Sequence, residues 1–282
     1  MSVSSGMPGA SVEPGITLTH DTPELAAIYE EVSIRQFENG KQLVSALNIC
    51  NGQRVLDIGA GTGRLATYVA KIVGPSGCVV GIDPLPLRIE IAQSKAIENF
   101  EARVGRAEDL CEFGDASFDV VYLNSVFHWV EDKPRALAEI FRVLKAGGRL
   151  GLNCQDVTHP HESLQFTRRA FTEAGLEFDK TFGNIAVGLS GKDLEALVTD
   201  AGFVAYEGES RTFTNSYQDV DALLTSLNSG SFGNLLANVS EGSRTHVRDA
   251  LDRLLKPKRL DGEGIRLERY LIFATAQKTK GV

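Results

Sequence analysis

Leu56-Asp57-Ile58-Gly59-Ala60-Gly61-Thr62-Gly63 is the stretch on which the fold turns. A short apolar run begins at Val55 and ends in three glycines at alternate positions, followed by a helical pattern carrying Leu65, Val69 and Ile72. An apolar run of this length, bounded by glycine, has the form of a buried parallel strand. Strand, glycine turn and helix in that order put bare backbone at the carboxyl end of a sheet, where open parallel sheets bind their ligands. Glycine leaves no Cβ between that backbone and a bulky ligand. The plain alternative is a turn that holds nothing, but three glycines and an acidic residue inside the strand exceed what such a turn requires.

Outward from this stretch the same rhythm repeats. Residues 62–73 read as a helix ended by Gly74-Pro75-Ser76-Gly77, and 78–83 as the next strand. Pro84 and Pro86 open a second helix, with Leu87, Ile91 and Ala92 expected on its inner face. A strand at 118–123, an amphipathic helix at 134–144 and a strand at 149–154 follow, the last two separated by Gly147-Gly148. Strands alternating with helices imply an α/β fold with a parallel sheet and right-handed crossovers. After Cys154 the rhythm changes. Residues 164–174 and 194–201 look helical, a short strand is expected at Phe203, and two helical patches lie within 217–255. The last strand is expected at 268–276. The chain divides into a disordered tail (1–15), N-terminal lid helices (16–50), a cofactor-binding core (51–157), and a remainder (158–282) that completes the sheet and carries helical cap insertions.

Composition narrows the partners. In 282 residues the formal net charge is −8, and no run of Lys and Arg is present. A nucleic-acid or acidic-membrane surface calls for a basic face, so neither partner is expected. No stretch approaches the about 18 apolar residues that span a bilayer. The first fourteen residues lack the basic and apolar regions of a secretory signal. Cys50, Cys78, Cys111 and Cys154 are widely spaced, so four free thiols in a reducing, cytoplasmic setting are expected.

A dinucleotide site is the rival for the glycine turn. It needs G-x-G-x-x-G, and the third glycine would fall at position 64, where the chain has Arg64. Asp83 occupies the acidic slot that both ligand classes use for ribose hydroxyls. Asp57 separates them, because a carboxylate beside a pyrophosphate is repelled, whereas one beside a cationic ligand is attracted.

The segments 55–63, 80–83, 104–110, 118–130 and 135–151 resemble, in order and spacing, the motifs of class I S-adenosylmethionine-dependent methyltransferases. The resemblance implies a Rossmann-like seven-stranded sheet with helices on both faces, a helical cap, and an antiparallel final strand. It implies S-adenosylmethionine as cofactor, with Gly59, Gly61 and Gly63 along its methionine and ribose portion, together with Asp57 and Thr62. Asp83 and Pro84 would meet the ribose, Ala107 and Glu108 the adenine, and Asn124 the methionine part. Arg106 departs from the family, which often has Asp there, so Glu108 or Asp109 would take over that bond. Residues 29–36 resemble a lid helix whose Tyr29 and Gln36 would close over the cofactor; the alternative is a helix packed on the sheet edge.

Methyl transfer needs alignment of nucleophile, carbon and sulfur, and a base only where the acceptor has a high pKa. His128, in Phe127-His128-Trp129 after the fourth strand, is the candidate catalytic group; its alternative is a wall of the cofactor pocket. His159-Pro160-His161 reads as a loop and not as half a metal site, and no metal is expected. Phe213, Tyr217, Phe232 and Leu235 are candidates for an acceptor pocket or for cap packing. Asn124-Ser125-Val126-Phe127 is unlike the tetrad of nucleic-acid base methyltransferases. The layout is most similar to fungal natural-product thiomethyltransferases acting on reduced gliotoxin-type dithiols. That resemblance implies S-methylation of a small molecule. O- or N-methylation, a non-catalytic cofactor-binding regulator and a nicotinamide oxidoreductase are the alternatives.

Overall fold

The computed structural model describes residues 18–178, 187–260 and 262–279, so the 1–15 tail lies outside the described residues. At the centre stands β1 (Arg54–Ile58), paired in parallel with β2 (Cys78–Asp83) on one side and β4 (Phe118–Asn124) on the other. β3 (Phe100–Val104) extends the sheet beyond β2, and β5 (Leu144–Gln155) extends it beyond β4. β8 (Gly264–Lys278) is inserted antiparallel between β5 and β6 (Phe203–Tyr217), giving the order β3-β2-β1-β4-β5-β8-β6. The two-residue β7 (Arg259–Leu260) pairs with β8. The seven-stranded sheet with an antiparallel final strand is therefore as expected, with β7 as a small addition.

Both faces of the sheet are covered. On one, Val55, Val79, Val120 and Tyr122 pack under α2 (Ile34–Ala46) and α3 (Arg64–Val73). On the other, Leu56, Ile58, Val121 and Leu123 pack under α5 (Lys133–Val143) and α7 (Gly191–Asp200). Burial on both faces is why these strands read as continuous apolar runs. The glycine turn ends two residues later than expected, because Gly61 and Gly63 are left-handed (φ +53° and +77°) and the helix starts only at Arg64. α4 (Pro86–Ser94) also differs. Leu85, Arg88, Ile89 and Ala92 form its inner face, whereas Leu87 and Ile91 are only partly covered. The stripe at i, i+3, i+4 and i+7 is helical, but a charged residue in it hid the register.

The largest departure is β6, where a short strand at Phe203 was expected and a fifteen-residue strand pairs with β8, interrupted by a register shift between Val204 and Glu207. β6 is the sheet's edge strand and most of its side chains are exposed, so the alternation that marks a half-buried strand is missing. The cap consists of the lid helix α1 (Pro23–Val32), α6 (Glu162–Glu173), α8 (Val220–Gly230), α9 (Asn234–Ala237) and α10 (Glu241–Leu254). Where two helical patches were expected in 217–255 there are three helices. The cap has its own core, in which Phe171, Leu223, Leu235, Val247 and Leu251 meet Tyr217, Ile265 and Leu267 from the ends of β6 and β8. The cap is thus helices seated on an extended two-stranded arm. No helix among the described residues is long and apolar enough to cross a membrane.

Candidate active site

The carboxyl ends of β1, β2 and β4 face the cap across one cleft of about 200 Å³. At its glycine-loop end Gly59 has φ +78°, and a Cβ there would meet Val126 Cγ2 at 2.1 Å. Backbone and side chain are locked together here. The Gly61 N–H donates to Asp83 Oδ2 at 2.9 Å, and the Leu85 N–H donates to Oδ1 at 3.0 Å. Burial pushes the Asp83 carboxyl above its ordinary range, and the nearby Arg88 guanidinium opposes that shift. Asp57 is more strongly affected. Burial pushes it up to about 7, even though the Tyr122 hydroxyl donates to its Oδ2 at 2.7 Å.

Of the residues expected to hold a cofactor, Tyr29, Gln36, Gly59, Asp83 and Pro84 line the cleft, as do Ala107, Glu108 and Asn124. Asp57 and Thr62 line a small side pocket shared with Tyr29 and Gln36. Gly61 lies beneath the Tyr29 ring, where a Cβ would stand 3.3 Å from Cε1. Gly63 lines neither space. A Cβ there would meet Phe100 at 2.8 Å and Ala92 at 2.9 Å, so the missing side chain lets the turn pack against β3 and α4. Asn124 bridges two elements: its Nδ2 donates to Gln36 O at 2.9 Å, and its Oδ1 accepts from Asn153 Nδ2 at 2.8 Å. Arg106, the departure from the family pattern, lines the cleft 3.7 Å from Glu108 and 3.6 Å from Glu131. Asp109 instead accepts from the Cys111 N–H.

Two residues passed over in the sequence tie the lid down. Glu30 on α1 accepts from the Thr62 hydroxyl and pairs with Lys95 at 2.7 Å, and its backbone oxygen accepts from Arg64. Arg88 is buried beside Asp21 at 3.3 Å and donates to Ser229 O at 2.8 Å. Its guanidinium also lies 4.0 Å above the Tyr29 ring and 4.9 Å from that of Phe232. A charged residue on the inner stripe of α4 is the one sequence signal that pointed to it.

At the cap end His128 is buried in a single 3₁₀ turn, Phe127–Trp129, and its Nδ1 has no hydrogen-bond partner. Burial brings its pKa down to about 3, helped by His161, Arg269 and Lys133. His161 Nε2 donates to Tyr270 O at 2.8 Å, and burial lowers the pKa of this ring to about 4. Both rings are neutral at physiological pH. Of the four aromatic or apolar candidates, Tyr217 and Phe232 line the cleft, and Phe232 packs against Trp129 with ring centres 4.9 Å apart. Phe213 instead packs on Phe273, and Leu235 belongs to the cap core. His159 stacks on Tyr270 while His161 faces the cleft, and no metal-binding group of three is present among the described residues. All four cysteines are unpaired, and burial pushes the Cys154 thiol up to about 12.

The glycine-loop end fits S-adenosylmethionine. Gln36 Oε1 is a buried acceptor with no donor, Asp57 is a buried acid suited to a cationic neighbour, and Gly59 keeps the turn free of side-chain bulk. A family profile described as a methyltransferase domain matches residues 56–152. The arsenite methyltransferase of Mus musculus is 36% identical over 138 residues, covering 45% of this chain and 36% of that protein. The demethylmenaquinone methyltransferase of Lactococcus lactis is 34% identical over 173 residues, covering 55% of this chain and 68% of that protein. The match thus spans a little over a third of the mouse relative but two thirds of the bacterial one. The Haemonchus contortus phosphoethanolamine N-methyltransferase 2, solved with S-adenosyl-L-methionine, has the same fold. Its TM-score is 0.60 at 19% identity, over 92% of this chain and 57% of that one. The matched segment is the one that builds the glycine turn, Asp83 and the strand ends around the cleft, and the chain belongs to the Rossmann-like S-adenosylmethionine-dependent methyltransferases.

Proposed function

We propose that this chain transfers the methyl group of S-adenosylmethionine to the sulfur of a small thiol, with reduced gliotoxin-type dithiols as the acceptor class. The observation that carries the reading is the cleft that runs from the glycine turn to the cap, where the two imidazoles that line it, His128 and His161, are only weakly basic. The cofactor supplies an activated methyl group bound to a sulfonium. Asp83 on β2 would meet the cofactor's ribose and Gln36 on α2 would close over it, and Asn124 keeps α2 against the end of β4 through its bond to Gln36 O. Tyr29, Trp129 and Phe232 exclude water. His128 borders the acceptor as a neutral ring. A ring whose conjugate acid has a pKa of about 3 takes a proton poorly, so the site favours an acceptor that is already ionised. A thiol with an ordinary pKa of about 8.5 is partly thiolate at neutral pH, whereas a phenol or alcohol is not.

The test uses methyl-deuterated S-adenosylmethionine and matched thiol, phenol and amine acceptors, including a reduced cyclic dithiol, read by mass. Label confined to sulfur, added once and then twice to the dithiol, is expected. Label on oxygen or nitrogen overturns the thiol and keeps methyl transfer. Cofactor binding with no labelled product from any acceptor counts against catalysis and favours a regulator.

A further inference from the structure

Four arginines line the cleft, and two of them have carboxylate partners. Arg88 pairs with Asp21, and Arg106 stands beside Glu108 and Glu131. The other two, Arg35 and Arg269, have no carboxylate partner among the described residues. Arg35 donates to neutral oxygens, Ser216 O at 3.0 Å and Ser226 Oγ at 3.1 Å, and lies 4.4 Å above the Tyr217 ring. Arg269 projects from β8 at the position paired with Phe213. Its Nε and Nη2 are shut off from water and have no hydrogen-bond partner. These two nitrogens share one edge of the guanidinium, along which their N–H bonds run side by side. Arg35 is close enough to Arg269 for the two charges to repel. The carboxylates that line the cleft, Asp83 and Glu108, both belong to its other end.

A buried cation without a partner costs stability, and an apolar side chain of similar volume would pack there without that cost. The cost is removed when an anion enters. The geometry points to an oxyanion subsite at the cap end of the cleft, in which Arg269, with Arg35 beside it, receives a carboxylate carried by the acceptor. This rests on the thiol acceptor and its placement proposed above, and narrows that acceptor to thiols that also carry an acid group, in preference to a neutral dithiol of the gliotoxin type. A carboxylate presents two oxygens to two parallel donors, whereas a neutral acceptor leaves both unmet. The overall charge of −8 repels anions at long range, so only a local pair of cations selects for one. The acid group anchors the acceptor and the thiolate reacts.

The test titrates 2-sulfanylbenzoate and its neutral counterpart, 2-sulfanylbenzamide, into the protein with and without S-adenosylhomocysteine. The wild type is expected to bind the benzoate about ten to a hundred times more tightly, the range for hydrogen bonds to charged groups. Arg269→Gln is expected to erase the preference, keep the affinity for S-adenosylhomocysteine, and leave the melting temperature unchanged or higher. A purely structural arginine would lower it. Arg269→Lys keeps the charge but loses the parallel donors, so its preference should fall severalfold; it serves if the Gln variant does not fold. Equal affinity for the two probes, binding of neither, or a preference that survives Arg269→Gln overturns the subsite. Those results leave methyl transfer standing. A benzoate preference in a protein that binds no S-adenosylhomocysteine would keep the subsite and sink the methyltransferase reading.

Discussion

The two ends of the cleft are built by different physics. At the glycine-loop end the charges are already met inside the fold: Asp83 by the Gly61 and Leu85 N–H groups, Asp57 by the Tyr122 hydroxyl. Its frame is the glycine turn after β1 with the end of β2 beside it, and backbone conformation does much of the positioning. At the cap end Arg35, His128, Tyr217 and Arg269 arrive from four distant stretches, and two polar side chains there, His128 and Arg269, keep unpartnered atoms. A site whose charges are met asks its ligand only for shape and a few contacts, such as a donor to Gln36 Oε1. An unsatisfied one selects for the ligand that completes it.

Arg88 joins the two ends, and removing it should have the largest effect. Arg88→Met leaves Asp21 buried without its partner and breaks the bond to Ser229, at a cost of about 3–5 kcal/mol. Denaturant unfolding of the variant measures this, and a loss below 1 kcal/mol would mean the ends are not coupled through this residue. Gly59→Val sharpens the contrast by striking one end alone. A side chain at φ +78° aimed at Val126 should cut S-adenosylhomocysteine affinity more than about a hundredfold, since local strain and overpacking each cost about 1–3 kcal/mol. Binding of 2-sulfanylbenzoate to the unloaded protein should change far less, and equal losses would erase the division.

The smallest expected effect is a slope. Folded Asp57 keeps its proton to about pH 7, whereas its ordinary value is 3.8. Between those values the folded chain holds more protons than the unfolded one, so this residue makes stability decline as pH rises toward 7. Asp57→Asn should remove that decline. Measured from pH 5 to pH 8, the variant's melting temperatures should depart from the wild type's falling curve, and parallel curves would count against a protonated Asp57. A bound sulfonium and ammonium should flatten the wild-type slope as well, by favouring the charged carboxylate.

What could be read from the linear chain was what is encoded locally. The glycine turn, β1, β2, β4 and the helices between them were legible because buried strands, positive-φ glycines and helical stripes leave short-range periods. The same is true of Asp83 and of the residues that line the cleft near it. β6 was not legible beyond its first residues, because an edge strand with mostly exposed side chains has no apolar alternation. The packing demand at Gly63 was not legible either, because a glycine demanded by packing against Phe100 and Ala92 looks the same in sequence as one demanded by a ligand. The inner face of α4 was shifted because Arg88 breaks the apolar stripe, and its partners Asp21 and Ser229 lie far away in the chain.

By itself the sequence determined the parallel strands β1, β2, β4 and β5, the glycine turn and the cofactor class, since each depends on neighbours a few residues apart. Only the tertiary structure decided which charges are paired. Whether Arg88 is neutralised and Arg269 is left open depends on groups tens to hundreds of residues away, and electrostatic partnership in a low-dielectric cleft is set by distance in space and not along the chain.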